Sequence, residues 1–170
     1  MMIVHESGHV IGAWATGAKV QKVVLHPLEF SRTDVLANRH PLTVAWAGPL
    51  LGSVLPLLAF ATAAAMRMPG LYVLRFFVGF CLVANGAHIG GGSFDHVGDT
   101  RDMLLFGSPR WLLWMFGAAA VASGLLLWNR LGPRFGLGPS RGRVNPVAAY
   151  VTLSLLALMV AAELLFGSTG

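Results

Sequence analysis

The amino-acid sequence predicts an all-α polytopic membrane protein with about five transmembrane helices. Composition is the first reason, because 55% of the 170 residues are hydrophobic and only 11% are charged, whereas roughly a quarter of the residues in soluble domains are charged. The second reason is that the apolar residues form long uncharged runs, each near the length of about 20 residues that crosses a hydrocarbon core. No second, soluble domain is predicted, so residues 1–170 are expected to form a single membrane-embedded domain.

Five apolar segments follow one another along the chain. They cover residues 1–17, 42–66, 76–92, 111–128 and 147–162. The third can be extended back to Leu71 past Arg75, and the last runs on through Glu163 to Phe166. The first is short, since a helix of its length covers roughly 25 Å, slightly less than the hydrocarbon core. We expect the acidic side chain of Glu163 to reach toward the membrane surface, with pairing to an arginine or distant metal ligation as alternatives.

The net charge of +5 does not indicate nucleic-acid binding. The arginines are scattered at the ends of the apolar runs and do not form the patch with interleaved aromatic residues that is typical of a nucleic-acid interface. We expect them to anchor the helices at the membrane surface. With five spans in alternation, the basic residues divide evenly between the two faces, so charge predicts no orientation. The same alternation predicts that the loops after the first and third spans lie on one face.

Functional information is concentrated near the amino end, in the run His5-Glu6-Ser7-Gly8-His9. Residues i and i+4 of a helix lie on one face, so both imidazoles of this H-E-x-x-H pattern can reach a single metal ion. Glu6 borders the same site and is the expected general base. The pattern therefore predicts a Zn2+-dependent hydrolase. Its position inside an apolar segment strengthens a functional interpretation, because ionisable side chains in a membrane are costly.

A third metal ligand is expected, because catalytic zinc takes three protein ligands and leaves a further position for water. The loop after the third span is the place to seek it, since this loop shares a face with the loop that follows the motif. Three side chains in that loop are candidates, and the residues alone leave them open: Asp95, His96 and Asp99.

Polar and small residues are also placed where a site inside a membrane would need them. Asn85, His88 and the glycines at positions 90–92 are expected to end the third helix with a flexible, polar stretch through which water reaches the metal. Two pairs of glycines four residues apart, in the first and second spans, have the spacing that lets membrane helices approach closely. The sequence does not decide whether the glycine faces of the two helices contact each other or only leave space for the metal. The pairs are Gly8 with Gly12 and Gly48 with Gly52.

At this point the chain resembles the site-2 protease family of intramembrane zinc metallopeptidases, in a bacterial branch. Three runs carry the resemblance: His5-Glu6-Ser7-Gly8-His9, Ala47-Gly48-Pro49 and Gly98-Asp99-Thr100-Arg101-Asp102. It implies a short membrane-associated β-hairpin over residues 18–40, where the sequence alone allows a hairpin or a loop. It also implies that the metal ligands are His5, His9 and Asp99, with Asp95 as the alternative third ligand and His96 as a weaker one. The family's N-x-x-P-x-P-x-L-D-G signature is not present in this sequence.

The resemblance and the motif together predict a zinc-dependent intramembrane endopeptidase. Glu6 would activate a zinc-bound water for attack on the peptide bonds of membrane-anchored proteins. The alternative is a non-proteolytic membrane protein whose zinc site is structural or serves transport. Glu6 argues for the peptidase, because neither a structural nor a transport site needs it as a ligand. The expected location is a bacterial cell membrane, as a multi-pass protein. Its partners are the lipid bilayer and a membrane-anchored protein substrate, and no oligomeric state is predicted.

Overall fold

The computed structural model describes residues 1–25, 31–36, 38–137 and 144–166, and for residues 162–166 it describes the backbone alone. Most of the described chain is helical. In chain order the elements are α1 (Met2–Ala15), β1 (Val20–Val24), β2 (Arg32–Val35), α2 (Pro41–Ala65), α3 (Leu71–Asp95), α4 (Asp99–Leu105), α5 (Arg110–Trp128), a 3-10 turn (Gly132–Phe135) and α6 (Pro146–Phe166).

Three helices in the described part of the chain are long and apolar enough to cross a membrane, namely α2, α3 and α5. The predicted helical membrane architecture is confirmed to that extent. The first predicted span corresponds to α1, which has 14 residues, and the described side chains of the last cover the shorter stretch Pro146–Ala161. Three of the five predicted spans are therefore confirmed as long and apolar enough to cross a membrane, among the residues whose side chains are described.

Close contact between α3 and α5 depends on glycine. A Cβ atom at Gly86 would lie 2.8 Å from the carbonyl oxygen of Gly117, and one at Gly124 would lie 2.7 Å from that of Gly79. Backbones can approach this closely only where side chains are missing, which is how membrane helices gain van der Waals contact without a hydrophobic driving force. Helices α3 and α5 therefore form a closely packed pair.

The first two helices also meet at a glycine contact. A Cβ atom at Gly8 of α1 would lie 2.8 Å from Cα of Gly48 in α2. The other two predicted glycines have different neighbours, since Gly12 faces the side chain of Ala47 and Gly52 faces Asn85 of α3. Gly8 and Gly48 thus contact each other directly, whereas Gly12 and Gly52 make room for neighbouring side chains.

A two-stranded antiparallel hairpin joins α1 to α2, with Val23 of β1 opposite Thr33 of β2. The hairpin, which the sequence left open against an ordinary loop, is therefore present. Residues 26–30, between the two strands, lie outside the described residues. Part of the glycine- and proline-rich stretch 132–146 lies outside them as well, as does the side chain of Glu163.

The predicted end of the third helix was wrong. The glycines at positions 90–92 are helical, and α3 continues to Asp95 before His96 and Gly98 adopt positive φ angles of 55° and 58°. The reason is packing, because a Cβ atom at Gly117 of α5 would lie 2.8 Å from Cα of Gly90. Gly90 admits α5 at this depth, Gly92 leaves room for Thr100 of α4, and the chain turns one helical turn later.

Helix α4 returns to the end of the bundle where α2 begins. The indole nitrogen of Trp46, early in α2, donates a hydrogen bond of 2.8 Å to Ser108, just after α4. Met103 of α4 is buried with Ala45 of α2 and Ile89 of α3. The loops after the first and third spans therefore lie at one end of the molecule, as the alternation of spans predicted.

Candidate metal centre

Helix α1 presents the motif to the interior of the bundle. His5, Glu6 and His9 are all buried, with exposed fractions of 6%, 4% and 6%. They are buried because Gly8 allows the α1 backbone to lie directly on α2. Gly48 of α2 is equally necessary, since a Cβ atom there would lie 2.2 Å from Nε2 of His9. The small residues of both helices thus create the space that the imidazole rings occupy.

Asp99, at the start of α4, reaches both histidines. Its Oδ2 lies 2.9 Å from Nε2 of His5, and its Oδ1 lies 3.2 Å from Nε2 of His9. The two Nε2 atoms are 3.1 Å from each other. Among the described residues these three form a group that could hold a metal ion, with one ligand atom from each. Atoms bound tetrahedrally to one zinc ion, each about 2.0–2.1 Å away, are roughly 3.3 Å apart, so the spacing fits zinc.

The protonation of the two imidazoles supports the same interpretation. Nδ1 of His9 donates to the backbone carbonyl of Val44 at 2.8 Å, and a carbonyl can only accept. Nδ1 of His5 donates to Oδ1 of Asn85 at 2.7 Å, while the amide nitrogen of Asn85 donates to the carbonyl of Cys81. With these protons on Nδ1, both neutral rings turn an Nε2 lone pair toward the Asp99 carboxylate. Three electron-rich atoms facing one another are stable only with a cation between them, which is a proton in the metal-free protein and can be a metal ion at the same place.

A histidine that binds a metal through one ring nitrogen usually donates a hydrogen bond from the other, and both Nδ1 atoms have such an acceptor here. A hydrogen bond from the second ring nitrogen fixes the tautomer and the orientation of the ring. The sequence identified Asn85 as polar but not as the partner of His5, and the Val44 carbonyl leaves no signal in the sequence. An asparagine inside an apolar run of spanning length is the sequence signal from which the first role could have been inferred.

His88 of α3 is an additional neighbour of the carboxylate. Its Nε2 lies 3.4 Å from Oδ2 of Asp99, and its side chain is one-third exposed. In the metal-free protein, burial alone would raise the pKa of Asp99, but hydrogen bonds donated by His5, His88 and His9 when their Nε2 atoms carry protons outweigh it and hold that pKa far below its usual range. Asp99 is therefore ionised at neutral pH, as a metal ligand must be.

The buried carboxylate of Glu6 has a donor on the hairpin. The hydroxyl of Thr33 in β2 donates a hydrogen bond of 2.7 Å to Oε2 of Glu6. Nothing in the sequence analysis singled out Thr33, since a threonine in a short strand is common. Its contact with Glu6 depends on how the hairpin packs against α1.

The other two candidate ligands lie away from this group. Asp95, at the end of α3, and His96, which follows it, are both exposed. His96 instead accepts a hydrogen bond of 2.9 Å from the guanidinium of Arg110. The positive φ angles at His96 and Gly98 turn the chain so that Asp99 faces α1. The structure thus brings together His5, His9 and Asp99, and leaves Asp95 at the surface.

These observations describe a mostly helical membrane protein with a buried group of metal-ligating side chains next to a buried glutamate. A sequence model of the Peptidase M50B-like family matches residues 1–86, about half of the chain, which include α1, the hairpin, α2 and the part of α3 that carries Asn85. The chain therefore belongs to the Peptidase M50B-like family, and the resemblance to site-2 proteases is confirmed. No curated protein and no solved structure matches the chain.

Membership of this family indicates a membrane peptidase of the metallopeptidase class. Together with the three apolar helices it identifies an integral membrane protein. The group of His5, His9 and Asp99 is compatible with the metal that such peptidases use.

Proposed function

We propose that the protein is a zinc-dependent endopeptidase that hydrolyses peptide bonds of membrane-anchored proteins within or beside the bilayer. The observation that carries the proposal is the convergence of Nε2 of His5, Nε2 of His9 and the carboxylate of Asp99, with Glu6 buried on the same helix. We assign His5, His9 and Asp99 as zinc ligands and Glu6 as the catalytic base. Asp95, the alternative ligand, is exposed and outside this group.

Each residue has a distinct role in the proposed reaction. When bound, zinc would lower the pKa of a water molecule at its open position and polarise the carbonyl of the scissile bond. Glu6 takes a proton from the attacking water and gives it to the leaving amine. Asn85 and the Val44 carbonyl hold the two imidazoles in the tautomer that leaves Nε2 free for the metal.

The surroundings of the group fit a substrate that comes from the membrane. The hairpin lies next to Glu6, and a strand edge can pair with an extended peptide through backbone hydrogen bonds, exposing the scissile bond that a helix would conceal. We propose that the protein crosses a bacterial cell membrane several times. We also propose that residues 1–170 work as one membrane-embedded domain.

Substitution of Glu6 by Gln tests the proposal. The test substrate is a set of synthetic single-span transmembrane peptides, each with a fluorophore and a quencher at opposite ends, in detergent with the purified protein. We expect the unmodified protein to bind zinc and cleave peptides from this set, and Glu6→Gln to bind zinc normally but lose cleavage. If Glu6→Gln were as active as the unmodified protein, the proposed mechanism would be wrong. Zinc binding without cleavage of any peptide would favour the structural or transport alternative.

A further inference from the structure

Side chains in the second strand of the hairpin and on either side of it contact α1. Three side-chain contacts join them in order: Ser31 with Met2, Thr33 with Glu6, and Asn38 with Thr16. The residue numbers increase together, so β2 runs in the same direction as α1.

Thr33 is the middle contact of this series and differs from the others in its partner. The outer contacts involve exposed or half-buried groups, whereas the carboxylate of Glu6 belongs to a residue that is only 4% exposed. The hydroxyl oxygen of Thr33 lies 2.7 Å from Oε2 of Glu6 and 3.5 Å from the backbone carbonyl of the same residue. Among the described residues, no other side chain donates a hydrogen bond to this carboxylate. A buried carboxylate that lacks a donor loses much of its solvation, so this contact matters energetically.

We propose that Thr33 is a positioning residue for the catalytic base, through which the docked hairpin holds Glu6 in the orientation that receives a proton. This inference rests on the proposed function of Glu6. One carboxylate oxygen, Oε2, is bound by the Thr33 hydroxyl, which leaves Oε1 for the attacking water. The β2 backbone fixes Thr33 in turn, since Thr33 pairs with Val23 of β1. The base is therefore correctly oriented only while the hairpin lies against α1.

Two substitutions at Thr33 separate positioning from packing. Thr33→Val keeps the branched shape and the strand preference but removes the hydroxyl. Thr33→Ser keeps the hydroxyl but loses a methyl group and some strand preference. A positioning role predicts that Val is the worse replacement, and a packing role predicts that Ser is.

The kinetic test uses the full-length protein in detergent, with the fluorogenic transmembrane peptides and with zinc content measured for every variant. We expect Thr33→Val to lower kcat by roughly ten- to hundredfold, as for loss of a hydrogen bond to a charged group, with KM and zinc content unchanged. Thr33→Ser should recover most of kcat. Thr62→Val is the matched control, because the hydroxyl of Thr62 donates only to the carbonyl of Leu58 within α2, and its kcat should equal that of the unmodified protein.

A second measurement needs no activity. We expect Thr33→Val to lower the Tm of the metal-free protein, because the buried carboxylate loses its donor, and we expect no further decrease when Glu6→Ala is added. Equal kcat for Thr33→Val and the unmodified protein, a better kcat for Val than for Ser, or independent additive effects of the two substitutions on Tm would each overturn the proposal. The proposed function fails separately, through an active Glu6→Gln or an unmodified protein that binds no zinc.

Discussion

Nδ1 of His5 lies 2.7 Å from the amide oxygen of Asn85, a residue 80 positions further along the chain and completely buried in α3. This contact joins the helix that carries the metal-binding motif to the closely packed α3–α5 pair. It also determines which nitrogen of His5 carries the proton. Asn85, in a membrane-spanning helix, thus orients one of the two histidines for metal binding.

Replacement of Asn85 by Leu should therefore weaken zinc binding. His5 would lose the acceptor that fixes its tautomer, and losses of this kind typically reduce metal affinity by about 10- to 100-fold. The measurement is a competition between the purified protein and a chromophoric zinc chelator. Asn129→Leu is the matched control, since Asn129 is exposed after the end of α5. Equal zinc affinity of Asn85→Leu and the unmodified protein would mean that this hydrogen bond does not orient a ligand.

Replacement of Gly48 by Ala should displace His9. The added methyl group would lie 2.2 Å from Nε2 of His9, which is far inside van der Waals contact. Because a ligating ring must move, we expect zinc affinity to fall by at least roughly tenfold and peptide cleavage to fall with it. Gly91→Ala serves as the control, because nothing lies within 4 Å of a Cβ atom at that position. Retention of full zinc affinity by Gly48→Ala would show that the His9 ring does not lie against α2.

Replacement of Gly117 by Leu should separate α5 from α3. A Cβ atom at Gly117 would already lie 2.8 Å from the carbonyl oxygen of Gly86 and from Cα of Gly90, so a larger side chain cannot be accommodated without moving backbone. We expect the Tm in detergent to decrease, because overpacking of this kind typically lowers the free energy of unfolding by roughly 1–3 kcal/mol or more. The same substitution at the exposed neighbour Ala118 should leave Tm nearly unchanged. Similar Tm values for the two variants would contradict the close helix pair.

The sequence predicted those features that depend on local pattern. The spacing of His5 and His9 requires only one turn of helix to place both rings on one face, and the uncharged runs of α2, α3 and α5 are long enough to be recognised from composition. Asp99 could be proposed because its loop shares a face with the loop after α1, but the alternation of spans did not distinguish it from Asp95.

The missed features depend on contacts between distant parts of the chain. Gly90, the first of the three glycines expected to end the third helix, instead admits Gly117 of α5, whose position against α3 no local pattern indicates. The choice between Asp95 and Asp99 depends on the left-handed turn at His96 and Gly98. Thr33 reaches Glu6 only because β2 lies along α1, and hairpin docking has no signature in a strand of four residues.

The assignment of Asp99 as the third ligand is tested most directly by zinc content. The purified protein, reconstituted with zinc and dialysed in detergent, would be compared with Asp99→Asn and Asp95→Asn by elemental analysis. Asparagine keeps the size of aspartate but cannot supply the negative charge that the two neutral imidazoles lack. We predict a single zinc ion per chain in the unmodified protein and in Asp95→Asn, and loss of zinc from Asp99→Asn. Retention of zinc by Asp99→Asn, or absence of zinc from the unmodified protein after reconstitution, would contradict the account.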